Sequence, residues 1–532
     1  MPELLHQSLA EHAQQAPDAT ALLFKKETIS YGHLHDEVEA TARGLLALGI
    51  QAGERVAIYL PKQPETVYGI FGALCAGASL VPVNPLLKPR QVAYILTDCN
   101  VRVLITSSQR LKLLECILAD CPDLHTVVVV EDEPPMLDEA PTQALMGWPN
   151  FLNPPATGTQ TKPHIRIDSD MAAILYTSGS TGSPKGVVLS HRNMVAGADS
   201  VASYLENTSQ DRLLAVLPLS FDAGLSQLTT AFSVGASVVL MDYLLPRDVI
   251  RAVCRYKVTG LAAVPPLWNQ LVGLEWPEEA ARSLRYITST GGAMPVATTK
   301  TLQRALPDTK IFLMYGLTEA FRSTYLPPDQ VDIRPESIGK AIPNAEILVI
   351  NEKGEQCKPG EPGELVHRGA LVAMGYWNNP EKTAERFKPC PGQAPELPIT
   401  ELAVWSGDQV KTDEEGFLYF IGRQDEMIKT SGYRVSPTEI EEVIYSSGLA
   451  AGVVALGLPH PALGQAILLI VTHNDDTPQN TSLEDDVAAH CRRELPNFMV
   501  PLAVIIRESL PHNQNGKIDR KALSAEYQDL FQ

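Results

Sequence analysis

Arg55-Val56-Ala57-Ile58-Tyr59-Leu60 is an apolar run headed by one arginine, and Ser79-Leu80-Val81-Pro82-Val83 is a second. Between them, Pro64 to Ala78 reads as a helix with proline near its start, where the missing N–H costs nothing. Strand, helix and strand at this spacing make a βαβ unit, whose strands pair in parallel. Apolar strands recur downstream at Val103-Leu104-Ile105-Thr106 and Thr126-Val127-Val128-Val129-Val130. The first four hundred residues therefore read as a large layered α/β body. Upstream, Leu4 to Gln15 has helical spacing and stops before Ala16-Pro17-Asp18. Residues 133–165, Pro-rich and polar, read as a linker, and residues 388–400 as a Pro-rich surface loop. From about residue 424 the texture changes to short strands and helices. The expected fold class is α/β: a large multi-layer N-terminal domain over 1–423 and a small mobile α+β C-terminal domain over 424–532.

A chain of 532 residues exceeds one ordinary domain and asks for roughly three or four packed units. The net charge of −19 argues against non-specific attachment to nucleic acid or to anionic lipid, both of which need clustered positive charge. The eight cysteines are scattered without a C-x-x-C pair, so neither a zinc site nor a disulfide framework is expected. The N-terminus lacks a basic region followed by an apolar core, and no apolar run reaches membrane-spanning length. The expected location is the cytoplasm, with no membrane insertion.

Chemistry is concentrated first at Tyr176-Thr177-Ser178-Gly179-Ser180-Thr181-Gly182-Ser183-Pro184-Lys185-Gly186. Glycines let the backbone approach a ligand, and consecutive N–H groups form an anion-binding nest. Hydroxyls add donors, and Lys185 adds a point charge. An apolar strand leads in from Met171 and another leads out through Val187-Val188-Leu189-Ser190. This is a phosphate grip between two strands, not the strand–G-x-x-x-x-G-K-[ST]–helix arrangement of a Walker loop. A surface turn would need only two or three such residues.

Further segments stand at Ser289-Thr290-Gly291-Gly292-Ala293-Met294-Pro295 and at Met314-Tyr315-Gly316-Leu317-Thr318-Glu319. Trp405-Ser406-Gly407-Asp408 and Gly422-Arg423-Gln424-Asp425 each set charge beside glycine. Near the end comes Asn513-Gln514-Asn515-Gly516-Lys517-Ile518-Asp519-Arg520, where Asn-Gly is a strong turn signal. Each motif alone is weak. In this order and spacing, the chain resembles, over nearly its whole length, the adenylate-forming ligases: acyl-CoA synthetases, non-ribosomal peptide adenylation domains and firefly luciferase. A narrower resemblance is to the AMP-forming ligases associated with bacterial exosortase A systems.

The resemblance implies two half-reactions. A carboxylate attacks the α-phosphorus of ATP to give an acyl-adenylate and pyrophosphate. A thiol, from CoA or from carrier-protein phosphopantetheine, then attacks the adenylate carbonyl and expels AMP. In-line displacement at phosphorus is served by positioning and charge neutralisation. By the same resemblance, Thr177, Ser178, Ser180, Thr181 and Lys185 hold the β- and γ-phosphates. Gly292 and Ala293 line the adenine slot, and Tyr315 stacks on the ring. Thr318 contacts the α-phosphate, and Glu319 binds Mg²⁺, a cation that prefers oxygen ligands. Asp408 takes the ribose hydroxyls with help from Arg423. Lys517 bridges substrate carboxylate and α-phosphate where charge grows in the transition state. Asp425 is the hinge on which the small domain turns, and Lys429 and Gly432 then line the thiol tunnel.

For the acid, Phe221-Asp222-Ala223 resembles the amino-acid-activating members, whose aspartate pairs with the substrate ammonium. A buried carboxylate without a cation is costly, which favours an amino-bearing acid. The competing reading makes Asp222 a helix cap. Fatty or aryl acids remain the alternative substrates. Where relatives have Tyr/Phe-Arg-Thr before the ribose aspartate, this chain has Val404-Trp405-Ser406. Expected partners are a small carboxylic acid and a stand-alone acyl carrier protein or free CoA. Rival readings are a dead nucleotide-binding protein, a luciferase-like oxygenase and a non-thiolating adenylate-forming enzyme.

Overall fold

The computed structural model describes residues 3–154, 162–177, 184–292, 294, 296–423, 427–473, 483–511 and 518–532. The βαβ unit is present: Arg55–Tyr59 and Ser79–Pro82 pair in parallel, joined by the helix Pro64–Ala76. Pro64 occupies the first helical turn, and Gly77 ends the helix at φ +84°, a left-handed setting that glycine adopts without strain. Val101–Thr106 and Thr126–Val129 extend the same sheet in parallel, and Met171–Thr177 joins it beside Ser79–Pro82. Lys185–Ser190 and Gly375–Tyr376 close its other edge antiparallel.

The segment expected to be a linker is partly built into this sheet. Ala144–Gly147 pairs with Thr126–Val129, and the helix Trp148–Leu152 buries Trp148 and Phe151 in the main core. Two aromatics carry that segment inward despite its polar composition.

A second sheet runs alongside. Its parallel part is ordered Thr20–Phe24, Ser237–Leu240, Arg212–Ala215, Gly260–Ala263, Tyr286–Ser289, Lys310–Tyr315. An antiparallel part continues through Thr324–Leu326, Ser337–Ala341, Leu418–Arg423, Leu402–Thr412, Gly363–Gly369 and Ala345–Ile350. Both sheets thus belong to a large N-terminal domain.

The smaller C-terminal domain has its own sheet: Ile428–Thr430, Tyr433–Val435, Gly452–His460, Gly464–Thr472 and Ala503–Arg507. Strand alternation splits its apolar residues into two layers. Val453, Ala455, Ile467 and Leu469 face the helix Pro437–Ser447 together with Ile428 and Val435. Val454, Leu456, Leu468 and Ile470 face the other way, against Ile518 and Leu523. None of the eight cysteines is paired, and among the described residues no helix is long and apolar enough to cross a membrane.

Candidate active site

The carboxyl ends of the parallel strands in both large sheets open on one cavity of about 610 Å³. Leu60–Lys62 and Pro82–Leu86 enter it from the first sheet. From the second come Val216–Gly224, Asp242–Leu244, Val264, Thr290–Gly291 and Gly316–Glu319. Crevices at the carboxyl ends of such strands are where α/β proteins bind ligands.

At one end, Thr177 and Lys185 face each other across the strand pair that brackets the glycine-hydroxyl loop. The Lys185 ammonium stands 5.4 Å from the centre of the Tyr376 ring. The Tyr376 hydroxyl donates to Glu319 Oε1 at 2.6 Å, so one aromatic ties the lysine to the carboxylate. Burial and the neighbouring Glu319 push the Tyr376 phenol far above its ordinary range, which keeps it a donor. Among the described residues no three His, Cys, Asp or Glu side chains cluster as a metal cage. A lone carboxylate suits Mg²⁺, which keeps waters and substrate phosphates as its other ligands.

Asp408 lies within the strand Leu402–Thr412, just after a break in its extended backbone at Gly407. Gly407 has φ +71°, and a Cβ there would fall 2.2 Å from Arg386 Nη1. Ser406 Oγ donates to Leu365 O at 2.7 Å and accepts from the Asp408 N–H at 3.1 Å. Serine at this departure from the family pattern therefore anchors the strand at that break. The Tyr315 hydroxyl donates to Asp408 Oδ2 at 2.5 Å. Burial raises the Asp408 carboxyl, and Tyr315 and the cation Arg434 oppose the rise. Tyr315 directly precedes the lining segment Gly316–Glu319 and meets Phe420 at 6.5 Å between ring centres. Gly291, next to Gly292, lines the cavity.

Asp222 opens the helix Asp222–Ser233, but the N-cap position is Phe221, and no side chain caps it. The helix-cap reading is therefore not what the structure has. Arg322, buried, pairs with Asp222 at 3.7 Å. Burial raises the Asp222 carboxyl, and Arg322 opposes the rise. The chain itself thus supplies the cation that was expected from an amino group on the substrate, and Asp222 gives no reason to require an amino-bearing acid. Arg322 carried no recognisable signal; only its place three residues after Glu319 could have drawn attention.

Lys62 was also missed. Its ammonium is buried, donates to Val216 O at 2.7 Å and Leu217 O at 3.3 Å, and pairs with Asp242 at 3.3 Å. It ties the floor segment ahead of Phe221 to the first sheet. Burial lowers its pKa to about 8, against the pull of Asp242.

The small domain reaches the same cavity. Ser431, Gly432, Tyr433 and Arg434 line it, and Tyr433 meets the edge of Phe221 at 5.1 Å. Lys429 is close by, its ammonium 4.9 Å from the centre of the Phe420 ring. The Arg423 backbone pairs with Asp408, while its side chain is outside the described part. Ser178, Ser180, Thr181, Ala293, Asp425 and Lys517 lie outside the described residues.

Comparison with known proteins agrees with this geometry. A family model for AMP-binding enzymes matches residues 9–377, and one for the AMP-binding enzyme C-terminal domain matches 439–517. A linear gramicidin synthase of Brevibacillus parabrevis is 30% identical over 98% of this chain, which spans only 6% of that protein. A long-chain-fatty-acid–CoA ligase of Salmonella typhimurium is 30% identical, with 98% of this chain and 95% of that one covered. A double mutant of o-succinylbenzoate CoA synthetase from Bacillus subtilis, bound to a product analogue, superposes with a TM-score of 0.81. It is 25% identical, with 97% of each chain covered. The chain belongs to the AMP-binding enzyme family and is an adenylate-forming ligase of mixed α/β fold.

Proposed function

We propose that the protein activates a small carboxylic acid with ATP, releasing pyrophosphate, and then passes the acyl group to a thiol with release of AMP. The observation that carries this reading is the joint lining of one cavity by Thr177, Lys185, Thr318, Glu319 and Asp408 with Ser431–Arg434 of the small domain. Lys185 and Thr177 would hold the phosphates that leave, and Asp408, buttressed by Tyr315, would accept from the ribose. Mg²⁺ on Glu319 would neutralise phosphate charge. The acid's carboxylate is already a nucleophile at neutral pH, so the protein's task is alignment and charge stabilisation.

The role of Lys517 in the first step is part of the proposal. Ile518, the next residue, packs on the face of the small sheet opposite the one that Ile428 and Val435 of the 430s hairpin cover. By the family resemblance, the small domain would turn about Asp425 to exchange the 430s hairpin, which lines the cavity here, for Lys517. The arrangement seen here therefore supports the thiol-transfer step.

The acceptor we favour is phosphopantetheine on a separate carrier protein, as the resemblance to the exosortase-associated ligases suggests, with CoA as the alternative. Pyrophosphate exchange across a panel of acids tests the first step, and AMP release with holo-carrier protein or CoA tests the second. No exchange with any acid would refute the ligase reading. Exchange without thioester on either acceptor would leave a non-thiolating enzyme.

A further inference from the structure

Resting on that ligase reading, we propose that Arg322 selects the acid. The substrate carries, besides the carboxylate to be activated, a neutral hydrogen-bond-accepting oxygen, carbonyl or hydroxyl, that the Arg322 guanidinium holds.

Arg322 is 6% exposed and lines the cavity. Its Nε is enclosed and has no hydrogen-bond partner among the described residues. Its contact with Asp222, 3.7 Å, is an ion pair beyond hydrogen-bond length. Buried polar groups are almost always hydrogen-bonded, and a guanidinium has five N–H donors. The guanidinium lines the cavity and is held by Asp222 only beyond hydrogen-bond length, so it can offer an N–H to an acceptor bound there. The Ser220 hydroxyl, on the same cavity's floor, is likewise buried and without a partner among the described residues.

The backbone supports the same conclusion. Phe321 has φ +56° and ψ −48°, a setting that bulky residues rarely adopt. Its ring is fully buried against Gly197, where a Cβ would fall 2.3 Å from Phe321 Cδ1. Such outliers persist where surrounding structure enforces them and gather at ligand sites. This one lies between Glu319 and Arg322, both of which line the cavity.

The charges define the group. Asp222 already balances Arg322. A second carboxylate on the substrate would add negative charge beside Asp222 and Glu319, and an ammonium group would oppose Arg322. A neutral acceptor satisfies the donor and leaves the balance intact. Leu217, Leu219, Val216 and Val264 offer apolar wall for the remainder.

The test is acid-dependent pyrophosphate exchange by the full chain, with plain alkanoic, hydroxy, oxo, amino and dicarboxylic acids of equal length. Hydroxy or oxo acids should exceed the plain acid by about 10- to 100-fold in kcat/KM, the scale of a hydrogen bond to a charged group. In Arg322→Met that ratio should collapse toward one, chiefly through KM, and Arg322→Lys should restore part of it. Because Arg322→Met strands a buried carboxylate, the volume-conserving double variant Asp222→Asn, Arg322→Met is measured alongside. A wild-type preference for plain, amino or dicarboxylic acids overturns the proposal. So does an equal loss on every acid in both variants, which would mark Arg322 as structural. Exchange with no acid at all would instead sink the ligase reading itself.

Discussion

Gly432→Ala should separate the two half-reactions. Gly432 has φ +81°, and a Cβ there would fall 2.8 Å from Val264 Cγ2 and 3.0 Å from both Val264 Cβ and Cγ1. Two costs follow, and they act differently. Left-handed strain, about 1–2 kcal/mol for alanine, belongs to the hairpin and travels with it in any orientation. The clash with Val264 exists only while the small domain sits as seen here. Overpacking of this kind costs about 1–3 kcal/mol, which shifts a two-state population by about 5- to 150-fold. Thiol transfer from a preformed adenylate, followed in single turnover, should slow by that factor. Pyrophosphate exchange should stay within about twofold, a few tenths of a kcal/mol. Val264→Ala in the Gly432→Ala background removes the clashing methyls and should recover most of the loss, as a double-mutant cycle would register. An equal fall in both half-reactions, or no fall in thiol transfer, would refute the reasoning.

Lys517→Ala should abolish adenylate formation and spare thiol attack on supplied adenylate; equal loss of both would count against two orientations. Asp408→Asn weakens the acceptor bonded to Tyr315 and should raise the ATP Kd by about 10- to 100-fold, the scale of charge-assisted bonds, with an unchanged Kd as the contrary result. Glu439 receives a long 3.4 Å contact from Gln91 of the large domain, and burial raises its pKa from the ordinary 4.5 to about 7. A raised carboxyl favours this docking fully below pH 4.5, and the advantage, at most about 3 kcal/mol, is lost as pH rises to about 7. Thiol-transfer rates should therefore fall across that window and then level off; Glu439→Gln should flatten the profile, and an unchanged slope would exclude Glu439 as its source.

The parallel framework was legible because its strands are short and largely apolar, and the first two are separated by one well-marked helix. Ala144–Gly147 and Trp148–Leu152 were not, since a four-residue strand and a single turn of helix give no periodicity to read. The motifs at Thr177 and Glu319 could be read because ligand-binding loops follow strand ends, and Asp408 because its charge stands beside a glycine; the cavity brings all three together. Arg322 and Lys62 could not, because their meaning lies in partners 100 and 180 residues away, Asp222 and Asp242. At Asp222 burial was inferable from sequence, but the identity of the counter-charge was not.

The strand Thr20–Phe24 pairs on one side with Glu27–Ser30 and on the other, in parallel, with Ser237–Leu240. More than two hundred residues separate those parallel partners. At about 5–20 residues per second of synthesis, the first strand leaves the ribosome roughly 10–40 s before its neighbour exists. During that interval Leu22 and Leu23 offer an apolar, unpaired sheet edge to whatever is nearby. Until residues 237–240 emerge, keeping that hairpin's apolar edge from pairing with other chains is a demand that this strand order places on the cell.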